Sequence, residues 1–275
     1  MLLWFFALAF AISWGGILLV VGGPAGFTGA AARTDPRFPL VYLAMLAGPV
    51  LSGILFAAIS FGGSGFGEVR SRLLRWRVHA RAYAIALLTA PLVVLTAVFV
   101  LSLGSPVFVP GVVANGERSS LLVFGLVVGL GAGFFEELGW TGVAVPRLRR
   151  RYGVLKSGLI LGVLWAAWHV VAAIWGMGDI AGAIPLPLFL GIDLLSVLLP
   201  YRVLMVWMHE QTNSLLVTML MHASLTSSLL ILGPVGLSGT SQIAYDLSMA
   251  AILWVSVAAV FIRGPVFLHR DEARA

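Results

Sequence analysis

The chain has 275 residues, of which 60% are apolar and only 10% charged, with a mean hydropathy of +1.03. A soluble domain carries about 25% charged residues, so 11 Asp+Glu and 17 Lys+Arg cannot solvate a surface this apolar, and a water-soluble fold is excluded. The net charge of +6 does not indicate nucleic acid, because the basic residues fall in bursts between long uncharged stretches; the absence of cysteine removes disulfides, thiolate nucleophiles and Cys-based metal sites together.

A membrane helix needs about 20 mostly apolar residues. Charge-free stretches over residues 1–32, 38–67 and 82–116 supply three, separated by Arg33 and Arg37 and by the arginine-rich stretch 68–81. The first has no positively charged segment before it and is long enough to span, so it reads as an uncleaved helix and not as a signal peptide. A fourth apolar run begins at Ser119, meets Glu136 and Glu137, and continues to Val145 before Pro146 and the cluster Arg147, Arg149, Arg150 and Arg151. Residues 157–178 make a fifth span containing His169. Residues 187–208 are the least regular, interrupted by Asp193 and Arg202; 213–233 contain His222, and 242–262 carry Asp246 near their start. The expected fold is all-α, a polytopic membrane protein of about eight transmembrane helices. It divides into a three-helix region over 1–118, a core of helices four to seven over 119–233, and a last helix with a short basic tail over 234–275.

Short cytoplasmic loops hold an excess of Lys and Arg. Thirteen of the seventeen basic residues follow the second, fourth and eighth spans: Arg70, Arg72, Arg75, Arg77 and Arg81; Arg147, Arg149, Arg150, Arg151 and Lys156; Arg263, Arg270 and Arg274. An even number of spans puts all of them on one face, so both termini are expected in the cytoplasm. These clusters are topology determinants first and binders of anionic lipid second.

A titratable side chain inside a span costs about 2.5–3.5 kcal/mol on insertion scales, so each is a functional hypothesis. Glu136 lies 11 residues from Arg147, His169 lies 13 from Lys156 and His222 lies 12 from Glu210. At about 1.5 Å per residue all three sit some 16–20 Å from the cytoplasmic charges. This depth requires the fourth helix to continue past Gly139 and Gly142. Consecutive helical residues point about 100° apart, so one glutamate is primary and its neighbour supporting. A glutamate beside an imidazole can take a proton from water, and a second imidazole with a hydroxyl one turn on, His222 and Thr226, can donate to a developing oxyanion. That inventory suits water attacking an amide. Glu136, His169 and His222 also match a zinc set with one open position, although the H-E-x-x-H helix is absent. No metal is favoured, since only two imidazoles are available; zinc stays open.

The remaining residues have plainer readings. One membrane histidine is more readily an interhelical hydrogen bond, a preference that two at one depth beside a glutamate pair reverse. Asp193 and Arg202, on opposite faces of one helix, read as structural. Asp246, His79, His209 and His269, near helix ends, read as solvated or snorkelling. The nine tryptophans read as interfacial anchors or packing.

Glu136-Glu137-Leu138-Gly139-Trp140-Thr141-Gly142, followed by Pro146-Arg147-Leu148, resembles the first motif of the CPBP family of CAAX-processing and bacteriocin-processing intramembrane endopeptidases, E-E-x-x-x-R. Trp165-Ala166-Ala167-Trp168-His169 resembles its second motif, F-x-x-x-H, and His222-Ala223-Ser224-Leu225-Thr226 its third, H-x-x-x-N or D. The resemblance covers residues 119–230. It implies that Glu136 and His169 activate water, that His222 binds the oxyanion with Thr226 in the Asn position, and that Glu137 supports them. Three positions depart from the pattern: Thr141 replaces Arg, Trp165 replaces Phe and Thr226 replaces Asn. Trp for Phe keeps an aromatic wall; the lost Arg removes a fixed charge that could orient a glutamate or the substrate. The family's chemistry is described both as metallo-type and as glutamate-dependent.

The leading expectation is an intramembrane endopeptidase acting on a peptide or protein substrate that enters from the membrane or cytoplasmic side, in the bacterial cytoplasmic membrane. The partners are that substrate and the lipid bilayer, with no nucleic acid. A catalytically inactive scaffold of the same family is the alternative. A proton-coupled transporter is a third reading, which would call for inverted repeats that the sequence does not display.

Overall fold

The computed structural model describes residues 1–27, 35–61 and 64–262. The chain opens with two antiparallel helices, α1 (Leu2–Val21) and α2 (Phe38–Phe61), apolar on every face. With lipid as solvent, the packed face is chosen by side-chain size. Gly48 of α2 lies so close to α1 that a Cβ there would sit 2.0 Å from the Ser13 hydroxyl oxygen, and that hydroxyl donates to the Met45 carbonyl at 2.6 Å. The short helix α3 (Ser64–Leu73) leads to α4 (Ala80–Ser102), whose first turn is capped by His79 accepting from the Arg81 N–H.

After the single-turn α5 (Gly111–Ala114), the chain runs helically from Arg118 to Arg149: α6 (Arg118–Gly131), a π turn (Ala132–Glu136), α7 (Glu137–Gly139), a second π turn (Trp140–Ala144) and α8 (Val145–Arg149). The fourth helix therefore does continue past Gly139 and Gly142, with its winding loosened on both sides of the glutamates; π turns of this kind concentrate at functional sites. Four helices follow: α9 (Val154–Met177), α10 (Leu186–Thr212), α11 (Leu215–Ile231) and α12 (Gly239–Ile262). Among the described residues there is no strand beyond one antiparallel bridge, Pro110 to Pro234.

Among the described residues seven helices are long and apolar enough to cross a membrane, and α11, at 17 residues, is a shorter apolar one. The eight-helix expectation holds in this form. At about 1.5 Å per residue α11 reaches about 25 Å, and it packs in the interior against α4, α6, the first π turn and α10. The least regular run of the sequence forms an unbroken α-helix: α10 has 27 residues and its most apolar window is 67% buried, against 28% for α12. Its two charged interruptions are tolerated because neighbouring helices supply their partners.

Glycines four residues apart seat the glutamate segment. Gly125, Gly129 and Gly133 step down α11 against Ile231, Ser227 and Ala223; a Cβ at position 133 would lie 2.4 Å from the Met219 carbonyl oxygen and 2.7 Å from the Ala223 nitrogen. On the other side, a Cβ at Gly139 would lie 2.4 Å from the Pro49 carbonyl of α2. The α10–α11 reversal is made by Asn213 in the left-handed region (φ 48°), with Ser214 capping α11 by accepting from the Val217 N–H. At this end of the bundle Arg149 pairs with Glu210 at 2.6 Å, the Ser214 hydroxyl donates to the Arg75 carbonyl and Arg147 donates to the Phe56 carbonyl, gathering the basic stretches after α2 and α8. Arg33, Arg263, His269, Arg270 and Arg274 lie outside the described residues.

Gly133→Leu should wedge α6 away from α11. Overpacking of this kind costs about 1–3 kcal/mol. Thermal unfolding of the detergent-solubilised variant should fall by several degrees, whereas Gly67→Ala, where nothing lies within 4 Å of an added Cβ, should leave it unchanged.

Candidate active site

Glu136 closes the first π turn and Glu137 opens α7, and both side chains are buried, at 3% and 0% exposure. Regular helical geometry would aim them at different points. Instead both address one imidazole from its two edges: His222 Nδ1 is 2.7 Å from Glu137 Oε1, and His222 Nε2 is 4.0 Å from Glu136 Oε2.

Glu137 is fully engaged. Arg202 Nη1 donates to both of its oxygens, at 2.9 and 2.8 Å, and the Thr141 hydroxyl donates to Oε2 from one turn along the same run. A carboxylate that receives these donors acts only as an acceptor, so His222 Nδ1 carries the hydrogen of its bond and Nε2 is turned toward Glu136. Glu136 accepts from the Trp165 indole N–H at 2.9 Å. One turn further along α9, His169 Nδ1 lies 2.8 Å from the Trp165 carbonyl oxygen. A carbonyl cannot donate, so that nitrogen is the donor and, in the neutral ring, His169 Nε2 keeps its lone pair. Both imidazoles stand edge-on to the same indole, with centroids 5.4 Å (His169) and 5.0 Å (His222) from Trp165.

The structure thus gathers Glu136, Glu137, His169 and His222 around Trp165. Among the described residues the Thr226 hydroxyl, one turn beyond His222 and half-buried, takes no part in the hydrogen bonds of this cluster. Nor do any three His, Cys, Asp or Glu side chains among the described residues converge so as to hold a metal ion. The bonds to Glu137 and to the Trp165 carbonyl engage Nδ1 of His222 and of His169 and leave Nε2 of each ring as the nitrogen that a ligand or ion at this site would meet.

Two readings from the sequence are corrected, and a third gains its partner: Arg202, read as structural, is fully buried against Glu137 and over the Trp165 ring, its guanidinium carbon 3.9 Å from the centroid. Its depth was the available signal: it lies ten residues from Thr212, as Glu137 lies ten from Arg147. Trp165 is more than an aromatic wall, because its N–H reaches Glu136 and a phenylalanine has none. Asp246 (2% exposed) and His209 (6%) are buried and not solvated, Asp246 accepting from Gln242 Nε2 at 2.9 Å while Asp193 lies 3.4 Å from the same nitrogen. Trp140, Trp168 and Trp175 are likewise core packing, whereas Trp4 and Trp76 are exposed.

The helical bundle thus encloses two glutamates, two histidines and an arginine around one indole. Residues 118–227 match the family model described as Type II CAAX prenyl endopeptidase Rce1-like. The CAAX prenyl protease 2 of Methanococcus maripaludis is 21% identical over 203 residues, which cover 71% of this chain and 75% of that protein. Over the region that holds these residues the chain is similar to CAAX-type membrane proteases.

The two adjacent glutamates should separate in stability. Glu137→Ala leaves Arg202 buried without its counter-charge, and breaking a buried pair costs about 3–5 kcal/mol. Glu136→Gln keeps an acceptor for the Trp165 N–H and should unfold within a degree or two of wild type. Thermal unfolding of both variants in detergent measures the difference; equal losses would contradict it.

Proposed function

We propose that this chain is an intramembrane endopeptidase in which Glu136 and His169 activate water and His222 holds the oxyanion. The reading is carried by the approach of His222 Nε2 to Glu136 Oε2 at 4.0 Å, a separation that one oxygen at hydrogen-bond distance (~2.8 Å) from both can bridge. Glu136 takes a proton from water; the hydroxide oxygen bonds to the scissile carbonyl carbon, and the carbonyl π electrons move to oxygen. With its Nδ1–H held by Glu137, His222 in its doubly protonated form donates Nε2–H to that oxyanion, with Thr226 as an adjacent hydroxyl donor. Collapse of the intermediate breaks the C–N bond, and the proton on Glu136 passes to the departing amine. His169, the most accessible member of the group, uses its Nε2 lone pair to orient or relay the water proton.

No metal enters these steps. The substrate is a peptide or protein reaching the site from the cytoplasmic side or from the membrane, with both termini of the enzyme cytoplasmic as the basic clusters indicate. The Methanococcus relative is named for a prenylated CAAX substrate, which makes an internally quenched farnesylated peptide with a Cys-aliphatic-aliphatic-X tail the first probe, followed by leader-bearing peptides.

In reconstituted protein, Glu136→Gln and His169→Ala should each lower kcat/KM by about 10²–10⁴-fold, the usual worth of a positioned acid or base. Undiminished cleavage in both would overturn the assignment. Purified active protein should contain metal well below one equivalent by plasma mass spectrometry; one tightly held zinc that disappears in His169→Ala would replace the metal-free reading.

A further inference from the structure

Arg202 comes from α10, outside all three motifs that mark the site. At position 141, where the family pattern has arginine, the chain carries a threonine whose hydroxyl donates to Glu137. We propose that Arg202 performs the task of that arginine, delivered to the site from a different helix, as a positioning residue for the hydrolytic reaction. The inference rests on the endopeptidase reading for its kinetic arm and stands on the geometry for its spectroscopic one.

Among the described residues, Arg202 is the only lysine or arginine that is fully buried. One of its nitrogens contacts both oxygens of Glu137, and its guanidinium carbon lies over the Trp165 ring, whose N–H holds Glu136. Arg202 therefore touches the supports of both reacting groups and neither group itself. By saturating Glu137 as an acceptor it obliges His222 Nδ1 to donate, which fixes the ring with Nε2 toward Glu136. The two acids of α10 itself are engaged elsewhere, Asp193 with Gln242 and Glu210 with Arg149. Arginine's planar guanidinium stacks on an indole and bonds a carboxylate together, which a lysine ammonium does less well.

The experiment uses full-length protein in nanodiscs, with Arg202→Leu, Arg202→Lys and the transplant Thr141→Arg/Arg202→Leu. With the quenched farnesylated peptide, Arg202→Leu should lose about 100-fold in kcat, the effect of misplacing a reacting group by an ångström, with KM within a factor of about three. Arg202→Lys should lose about tenfold, equivalent to one charge-assisted hydrogen bond. The transplant should recover at least tenfold over Arg202→Leu. Unchanged kcat in Arg202→Lys, or a folded transplant no more active than Arg202→Leu, overturns the proposal; if Arg202→Leu does not fold, the lysine variant decides. In parallel, 15N NMR of labelled His222 should show a hydrogen-bonded Nδ1–H in wild type and in the transplant, and its loss or weakening in Arg202→Leu and Arg202→Lys. A wild type that cleaves nothing defeats the endopeptidase reading alone, because the His222 spectrum then still decides Arg202: an Nδ1–H unmoved by Arg202→Lys overturns it.

Discussion

The ion pair between Arg202 and Glu137 is the constraint that organises the rest of the molecule. Each charge alone, held mid-membrane, costs about 2.5–3.5 kcal/mol on insertion scales, and both side chains are 0% exposed. Neither helix can shift along the other without separating them, so α10 is held in register with the run from Arg118 to Arg149. That register is set by packing: Gly158 and Gly162 of α9 admit Val203 and Leu199 of α10 at backbone contact, and Val203 is the residue next to Arg202. Small residues on α9 thereby determine where a charge on α10 meets its partner on a third helix.

From this pair the polar contacts close into a ring. Arg202 bonds Glu137, Glu137 bonds His222, His222 faces Glu136, Glu136 accepts from Trp165, and Trp165 lies beneath Arg202. A closed circuit in a low-dielectric interior is more rigid than a chain of the same bonds, since displacing one member breaks two contacts. Its one gap is the 4.0 Å between His222 and Glu136. Preorganised donors facing such a gap need not reorient when charge develops there, the condition under which electrostatic stabilisation is most effective.

How much of this was legible in the sequence follows from what lipid does to cost. Apolar runs gave the spans because a bilayer tolerates little else, and Glu136, His169 and His222 stood out because titratable groups are expensive there. The partners of Arg202 and of the Trp165 N–H were not legible, since which acid an arginine meets, or where an indole N–H points, depends on rotations of separate helices. The two π turns were not legible: Gly139 and Gly142 suggested a break, and the chain instead stays helical with a wider turn. Asp246 and His209 were misjudged because distance from a helix end is a poor guide to burial when α12 and α10, of 24 and 27 residues, pack side by side.

The arginine also explains how two neighbouring glutamates, identical in chemistry and one residue apart, come to differ. Arg202 cancels the charge of Glu137 and, with Thr141 and His222, fills its lone pairs, leaving Glu137 nothing to offer a substrate. Glu136 accepts one hydrogen bond among the described residues, from an uncharged indole, and faces His222 Nε2 at 4.0 Å. The division into a supporting and a reactive carboxylate is therefore made by pairing and not by the order of residues in the motif. Such a division survives relocation of the arginine from one helix to another, because the requirement is a guanidinium at the second carboxylate and the backbone that carries it is immaterial.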